Sequence, residues 1–271
     1  MAITATPKKF SMQQVFEILL RKPTDKSIVA YLEDTKTSNL NNTVEMVYPT
    51  GGRGNVYVGG GFSHSKRATL EVTVATWNTE VMAAQNGTEV ATGETTVTEY
   101  EIVTPSNGTY TLKYAAEGAT NAQIGYVYTY EDDGTFGTAY EQVATASLGA
   151  GKFAYATSSK TITFATADSV TSKIALSYTR KTTTAAQKIT VNADAIPDTV
   201  LVTAYGMAKD ICTGELYPAQ VDGMAQIDGN YNFELSADGE PAVHSLNLEF
   251  VKGCTSKRLY DFIVYTDEVP T

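Results

Sequence analysis

Cysteine and histidine are scarce in this sequence, with two of each among 271 residues. Cys212 and Cys254 are too few and too far apart to form a disulfide framework, and we expect them to remain thiols in a reducing cytosol. His64 and His244 have no cysteine or second histidine within one helical turn, the spacing that zinc sites commonly use. The sequence therefore predicts no metal centre.

Long apolar runs are also missing. No stretch approaches the roughly 18 uninterrupted apolar residues that a membrane-spanning helix requires. Near the N-terminus, Gln13, Gln14 and Glu17 interrupt the apolar residues that follow Lys8 and Lys9, which is unlike a secretory signal. We therefore expect no membrane partner and retention in the cytosol.

Charge is sparse and predominantly negative. Charged residues make up 18% of the chain, below the roughly 25% of an average soluble protein. The 20 basic and 30 acidic residues leave a formal net charge of −10. Sequence-independent binding of nucleic acid needs clustered Lys and Arg that displace counterions from phosphates. This balance argues against a protein that holds DNA or RNA, while 42% hydrophobic residues argue against a disordered chain.

Motifs for catalysis or cofactor binding are missing as well. The glycines between Gly51 and Gly61 lack the Lys-Ser or Lys-Thr of a P-loop, and residues 56–58 are strand-like where a dinucleotide site has a helix. Residues 131–134 lack the alternating acids and the distal Glu of a calcium loop. No Gly-x-Ser-x-Gly elbow is present. Any two acidic residues could still meet as a catalytic pair, but no pair is singled out. We expect no enzyme activity and no cofactor.

Threonine is the most conspicuous residue that is present, with 40 copies beside 17 tyrosines. Branched and aromatic side chains suit the pleated surface of a sheet, so this composition predicts a mainly β protein. Turn signals such as Asn107-Gly108 and Asp133-Gly134 favour tight hairpins, and hence an antiparallel barrel or sandwich. The predicted strands span residues 27–32, 43–48, 70–77, 95–103, 109–114, 124–130, 160–164, 173–178, 200–205, 231–235, 243–250 and 259–265.

One or two short helices are expected beside the sheets. Residues 11–20 begin with Ser11 and Gln14, which match a capping box, and continue with apolar residues at helical spacing. Residues 78–85 have Asn78 or Thr79 as a candidate cap and are followed by an Asn-Gly pair. Both segments are therefore predicted to be helical.

The chain 1–271 is expected to form a single β domain. Residues 95–188 are rich in Thr, Ala, Gly and Tyr and have almost no long aliphatic clusters, so we interpret them as a peripheral β segment within it. The two better-patterned ends of the chain are then expected to pair and make the core.

Several segments share their order and residue types with one family of proteins. In the first third these are PTGGRGN (49–55), GFSHSKRA (61–68) and ATWNTEVMAAQ (75–85). Near the end they are AQIDGNYNFEL (225–235), GEP (239–241) and LNLEF (246–250). Through these segments the sequence resembles the major tail tube proteins of long-tailed phages and prophages of Gram-positive bacteria.

The resemblance implies a β-barrel or sandwich of tail-tube type, six copies in a ring, and rings that stack into the conduit for DNA ejection. In that family a long loop between early strands reaches the neighbouring ring, and the position of residues 51–67 suggests such a loop here. Its glycines permit close approach of backbones, and its cations suit an acidic neighbour. The expected inter-subunit residues are Gly51, Gly52, Arg53, Gly54, Asn55, His64, Lys66 and Arg67.

The implied partners are further copies of the chain and other phage tail proteins, in a virion tail assembled in the host cytoplasm. DNA is expected to pass through the lumen without specific binding, since carboxylates of an acidic chain repel phosphates. A second class of function stays open at this point. A non-catalytic surface or decoration β-sandwich that binds a carbohydrate or a partner protein would share the richness in Thr, Gly and Tyr.

Overall fold

The fold is described from a computed structural model that covers residues 8–48, 62–168, 170–232, 242–253 and 256–266. The first elements are β1 (Phe10–Met12), β2 (Glu17–Arg21), β3 (Ile28–Leu32), β4 (Thr35–Val47), β5 (Phe62–Val74) and α1 (Thr79–Gln85). Next come β6 (Ala91–Thr92), β7 (Thr96–Val103), β8 (Thr109–Thr111), β9 (Tyr126–Tyr130), β10 (Phe136–Val143), β11 (Lys152–Ala156), β12 (Thr161–Phe164), β13 (Ile174–Lys181) and β14 (Gln187–Lys188). The last are β15 (Thr199–Asp210), β16 (Leu216–Ile227), β17 (His244–Phe250) and β18 (Tyr260–Val264). Single 3₁₀ turns lie at Thr145–Ser147 and Thr166–Asp168. The prediction of a mainly β protein with antiparallel sheets and a short helix is confirmed.

The chain divides into two compact units. Unit 1 comprises Met1–Val90 and Ile189–Thr271, and unit 2 comprises Ala91–Lys188. Unit 2 is thus a continuous insertion in the chain of unit 1, and its first and last strands, β6 and β14, pair with each other. Its bounds lie close to those of the expected peripheral segment 95–188. A single tail-tube domain over residues 1–271 stays a prediction.

Unit 1 is built on a nine-stranded sheet that curls. Its order is β3-β2-β15-β16-β17-β5-β4, with β1 beside β15 and β18 beside β16. Two residues alone, Glu33 and Asp34, connect β3 to β4 at opposite ends of this order. Because the Cα atoms of Leu32 and Thr35 can be at most about 11 Å apart across two intervening residues, the ends of the sheet approach each other. The sheet therefore forms a half-barrel.

The core of unit 1 comes from both ends of the chain, as the sequence predicts. Successive residues of a strand point to opposite faces, so every second side chain enters the core. Val81 and Ala84 of α1 join the same cluster. The strand residues that form most of it are Ile18, Leu20, Leu70, Val72, Val74, Val200, Val202, Ala204, Val221, Ala225, Ile227, Leu246, Leu248 and Phe250.

The prediction of a helix over residues 11–20 is wrong. These residues contain β1, a short connection and β2. Phe16, Ile18 and Leu20 are buried at alternate positions, and β2 is hydrogen-bonded to β15 on one side and β3 on the other. Two hydrogen-bonded ladders and burial at period two outweigh a local capping signal, because tertiary context routinely overrides weak helix propensity.

The second predicted helix is confirmed as α1. The Asn78 side-chain oxygen accepts hydrogen bonds from the backbone N–H groups of Glu80 at 2.9 Å and Val81 at 3.2 Å. This satisfies two donors that the first turn of any helix leaves unpaired.

A buried polar contact fastens α1 to β17. His244 is 1% exposed, and its Nε2 lies 2.6 Å from Oε1 of Gln85, the last residue of α1. The Gln85 amide nitrogen donates to the carbonyl of Ser245 at 3.1 Å, and the Trp77 ring stacks on the imidazole with centroids 4.3 Å apart. Burial lowers the pKa of His244, because the charged imidazolium is poorly solvated in this site.

Unit 2 also has a curled sheet, with seven strands in the order β7-β13-β9-β10-β11-β12-β8. The strand pairs of this sheet are antiparallel, apart from the parallel pair β10 and β11. Residues 104–108 connect β7 to β8, which lie at opposite ends of the order. Asn107 and Gly108 have φ angles of 52° and 68°. These positive values are typical of the tight turn that the sequence predicts there.

Glu101 joins the two ends of this sheet. Its carboxylate, on β7, accepts hydrogen bonds from the hydroxyl of Tyr110 on β8 at 2.7 Å and from the hydroxyl of Tyr178 on β13. Burial and this carboxylate raise the pKa of Tyr110 to about 12 and also raise the pKa of Tyr178. Both phenols are therefore held in their neutral, donating form.

Candidate functional site

The outer part of the β4–β5 hairpin extends past the core of unit 1. β17 pairs with β5 between Thr69 and Val74. In the described chain, residues 62–67 of β5 pair with β4 alone. Every residue in the segments 42–48 and 62–67 is exposed. We call these two segments the ribbon.

A β-bulge at Ser65 shapes the ribbon. Val44 lies opposite Lys66 and Glu45 lies opposite His64, which leaves Ser65 as the extra residue on β5. Its φ of 53° lies in the left-handed region, which costs a non-glycine residue about 1–2 kcal/mol. Such bulges bend the strand and increase its twist, so Ser65 sets the direction in which the ribbon leaves the sheet.

One face of the ribbon is apolar and continues the buried face of β5. Asn42 lies opposite Ala68, which is buried in the core. Further along β4, alternate residues on this face are Val44 and Met46, and the Tyr48 hydroxyl reaches the Met46 sulfur at 3.5 Å. These three side chains are 48%, 50% and 50% exposed. The core-facing side of the sheet thus runs beyond the core onto a solvent-exposed surface.

The opposite face of the ribbon carries weak polar contacts between acidic and basic side chains, and two exposed apolar side chains, Val47 and Phe62. The Glu45 carboxylate lies 3.3 Å from Nε2 of His64, and Arg67 Nε lies 3.7 Å from a carboxylate oxygen of Glu249. Exposed pairs of this kind contribute about 0–1 kcal/mol. Phe62, at the start of β5, is 71% exposed. Neither face therefore gives the ribbon strong attachment to unit 1.

The predicted inter-subunit residues divide into two groups. Gly51, Gly52, Arg53, Gly54 and Asn55 lie outside the described residues. His64, Lys66 and Arg67 all lie on the ribbon, but the structure does not place them on one face. Lys66 shares the apolar face with Val44, whereas the other two lie on the face that carries the ion pairs. Their role between subunits stays a prediction.

Sequence reasoning missed the apolar residues of this surface. Val44, Met46 and Tyr48 fall inside the predicted strand 43–48, and the available signal is their spacing at every second position, although Val47 between them is apolar as well. That pattern indicates a strand with one apolar face, but the register against β5 decides whether that face lies over the core. Only the pairing of β4 with β5 in the structure shows that this apolar face extends past the core of unit 1.

A polar groove of about 530 Å³ lies elsewhere on unit 1, with Glu71, Asp228 and Glu249 among its lining residues. Within the described ranges, no three His, Cys, Asp or Glu side chains are grouped so that they could hold a metal ion. Cys212 is an exposed free thiol, while Cys254 lies outside the described residues. None of the described helices has both the length and the apolar character needed to cross a membrane.

Comparison with known proteins identifies one family. The family model described as the YomU/Tube protein family matches residues 10–262, which include all of unit 2 and most of unit 1. No curated protein matches the sequence.

Proposed function

The chain belongs to the YomU/Tube protein family of phage tail tube proteins, and on that basis we propose that its copies close into hexameric rings that stack into the tail tube. The tube is the conduit through which the phage genome is ejected into the host. Its subunit is a structural virion protein without a catalytic role. It assembles in the host cytoplasm with other tail proteins and resides in the virion tail.

The apolar face of the ribbon is the observation that carries this proposal. Val44, Met46 and Tyr48 continue the face on which the β5 residues Ala68, Leu70, Val72 and Val74 are buried in the core, yet each is about half exposed. Burying apolar surface is the main favourable term in most protein association. A neighbouring copy that covers this face would complete a packing surface that unit 1 begins. Lys66 on the same face then meets an acidic surface of the neighbour.

Open sheet edges supply a second argument. In the described chain β4, with 13 residues, pairs with β5 alone, and β3 pairs with β2 alone. Unpaired N–H and C=O groups along an edge are a template for a strand from another molecule. The two edges are different surfaces, so contact between β3 of one copy and β4 of the next is heterologous. Repetition of a heterologous contact gives a ring when the rotation closes.

The net negative charge of the chain supports the proposal that the lumen of the tube does not bind the phage DNA. A chain with a net charge of −10 repels phosphates where its carboxylates face DNA. We expect free duplex in a gel-shift assay at physiological salt. Sub-micromolar, salt-sensitive binding would contradict this part of the proposal.

Negative-stain electron microscopy of the concentrated full chain tests the assembly. We expect six-fold rings and open-ended stacks. Lys66→Glu combined with Arg67→Glu, or deletion of residues 52–60, should abolish the stacks. Melting of the dispersed chain should be nearly unchanged, since exposed substitutions alter stability by about 0.5 kcal/mol or less.

A matched control reverses two cations on unit 2. Lys181 and Lys188 are both exposed, and changing both to Glu produces the same change in net charge without touching the ribbon. This variant should still form stacks. A chain that remains a monodisperse monomer at high concentration, under every salt and seeding condition, would refute the proposal.

A further inference from the structure

The sheet of unit 2 carries a groove on the face turned away from its core. The floor is formed by two small residues of β13, Ala175 and Ser177. Ala175 lies opposite Ile102 on β7 and opposite Tyr128 on β9, and Ser177 lies opposite Tyr100 on β7. Because opposite residues share a face, larger side chains stand on both sides of a narrow floor along β13.

Most of the wall residues are aromatic and accessible. Tyr100, Tyr126 and Phe136 are 54%, 53% and 57% exposed, whereas Ala175 between the walls is 1% exposed. On the β9 side of the groove the Tyr128 ring lies between two others, with its centroid 6.3 Å from that of Tyr126 and 5.9 Å from that of Phe136. The groove has a volume of about 590 Å³, in the range of roughly 300–1,000 Å³ that is typical of small-molecule sites.

The backbone of the floor at Ala175 has a paired strand on both sides. β13 is hydrogen-bonded to β7 on one side and to β9 on the other along residues 174–176. An extended peptide therefore cannot add here as a further strand, since that mode of recognition requires a free sheet edge. A ligand in the groove is recognised by ring faces and hydroxyl groups.

The charge of the groove restricts the ligand further. None of the described residues that line it has a charged side chain, in a protein whose net charge is −10. Charge complementarity therefore favours a neutral ligand over a phosphate-bearing polymer. The lining residues are Tyr100, Ile124, Gly125, Tyr126, Tyr128, Phe136, Ala175, Leu176 and Ser177.

We propose that this groove binds an uncharged oligosaccharide. A pyranose ring has an apolar C–H face, which stacks on Tyr126 or Tyr128, and equatorial hydroxyls, which exchange hydrogen bonds with Ser177 and with tyrosine hydroxyls. Tyrosine suits both contacts because its ring is apolar and its tip is polar. The two rows of side chains across β13 give one subsite to each of two neighbouring sugars. This activity is independent of ring formation and lies entirely within unit 2.

Saturation-transfer NMR on the full chain tests the site, with chitotetraose, maltotetraose and cellotetraose as probes. We expect transfer to at least one of them. The double variant Tyr100→Ala, Tyr126→Ala should weaken that binding at least tenfold. Ser177→Leu should do the same by filling the floor while it leaves every aromatic ring in place, and near-ultraviolet circular dichroism checks that both variants are folded.

A control and a competing ligand complete the experiment. Tyr31→Ala removes a tyrosine of similar exposure, 46%, from unit 1 and should leave sugar binding unchanged. Aromatic grooves also bind polyproline helices, so a decaproline peptide is tested in parallel. Transfer to decaproline alone, transfer to none of the probes, or sugar binding that survives both groove variants would each overturn the proposal.

Discussion

Replacing Val44 and Met46 by serine tests how much the apolar face of the ribbon contributes to assembly. Complete burial of a Val or Met side chain contributes about 1.5–3 kcal/mol. The two residues are 48% and 50% exposed, so about half of this, about 0.8–1.5 kcal/mol for each, is left for contact with a neighbouring copy. The double variant should therefore lose about 1.5–3 kcal/mol per ribbon contact, which is about a 10- to 150-fold change in an association constant.

Sedimentation over a range of protein concentrations gives the concentration above which polymer pellets, and this concentration should rise by that factor. By the same reckoning, contacts within the subunit already supply the other half, so the dispersed variant should lose up to about 1.5–3 kcal/mol of stability. Val191→Ser is a suitable control, since this residue of unit 1 is 63% exposed and lies outside the ribbon. A pelleting concentration within threefold of the unaltered chain would refute the reasoning. A large loss of melting temperature, with normal polymerisation of the folded fraction, would show that the ribbon packs on its own unit.

Three further outcomes are expected. Gly87→Ala should destabilise unit 1 by about 1–2 kcal/mol or more in chemical denaturation. The reason is that Gly87 has φ +60° and an added Cβ would lie 2.1 Å from the backbone oxygen of Ile196. Gly149→Ala is the control, because a Cβ at that position meets no atom within 4 Å. Burial lowers the pKa of His244 below 6.5. The unfolded state therefore binds more protons, and the free energy of unfolding should fall as pH drops below about 6.5. His244→Gln should reduce this dependence on pH when denaturation is measured between pH 7.5 and 5. The pKa of Tyr110 is raised from 10 to about 12, so stability should be complete below pH 10 and decline from pH 10 to 12, and Tyr110→Phe should weaken that decline in alkaline melts.

The sequence is a good guide where a strand alternates clearly or a turn needs unusual backbone angles. β17 follows this rule, with His244, Leu246, Leu248 and Phe250 buried at every second position inside the predicted strand 243–250. The turn at Asn107-Gly108 is also predicted correctly, because few residues other than Asn and Gly adopt two successive positive φ angles. In both cases the local signal and the tertiary environment agree.

The sequence is a poor guide where a strand contains residues typical of turns. β16 was not predicted, since Pro218 and the Asp222-Gly223 pair interrupt its pattern. The glycine is needed there because a Cβ would lie 2.8 Å from the carbonyl oxygen of Leu259. That close approach comes from the residue just before β18, far along the chain, and has no local signature. The predicted strand 231–235 is wrong at residues 231 and 232, which are not in a strand, and its other residues lie outside those described.

The candidate site shows the same division. Its cations could be picked out from the sequence, since Lys66 and Arg67 follow a glycine-rich segment. The apolar face could not, because a shift of one residue in register would turn Val44 and Met46 to the other side of the hairpin. Register depends on the bulge at Ser65, and nothing in the composition of residues 62–68 indicates a bulge.

The insertion of unit 2 into unit 1 dictates an order of events during translation. Arg21 on β2 bonds to Thr203 on β15, 182 residues later, and a ribosome that adds about 5–20 residues per second needs about 10–40 seconds for that interval. Unit 2 is continuous in sequence, so it closes its own sheet while β2 and β5 still lack their central neighbours. The nascent ribbon emerges early, but the half-barrel that positions it is completed last. Under the proposed assembly, competence to polymerise would therefore arrive only with the final strands, and unfinished chains would stay out of the tube.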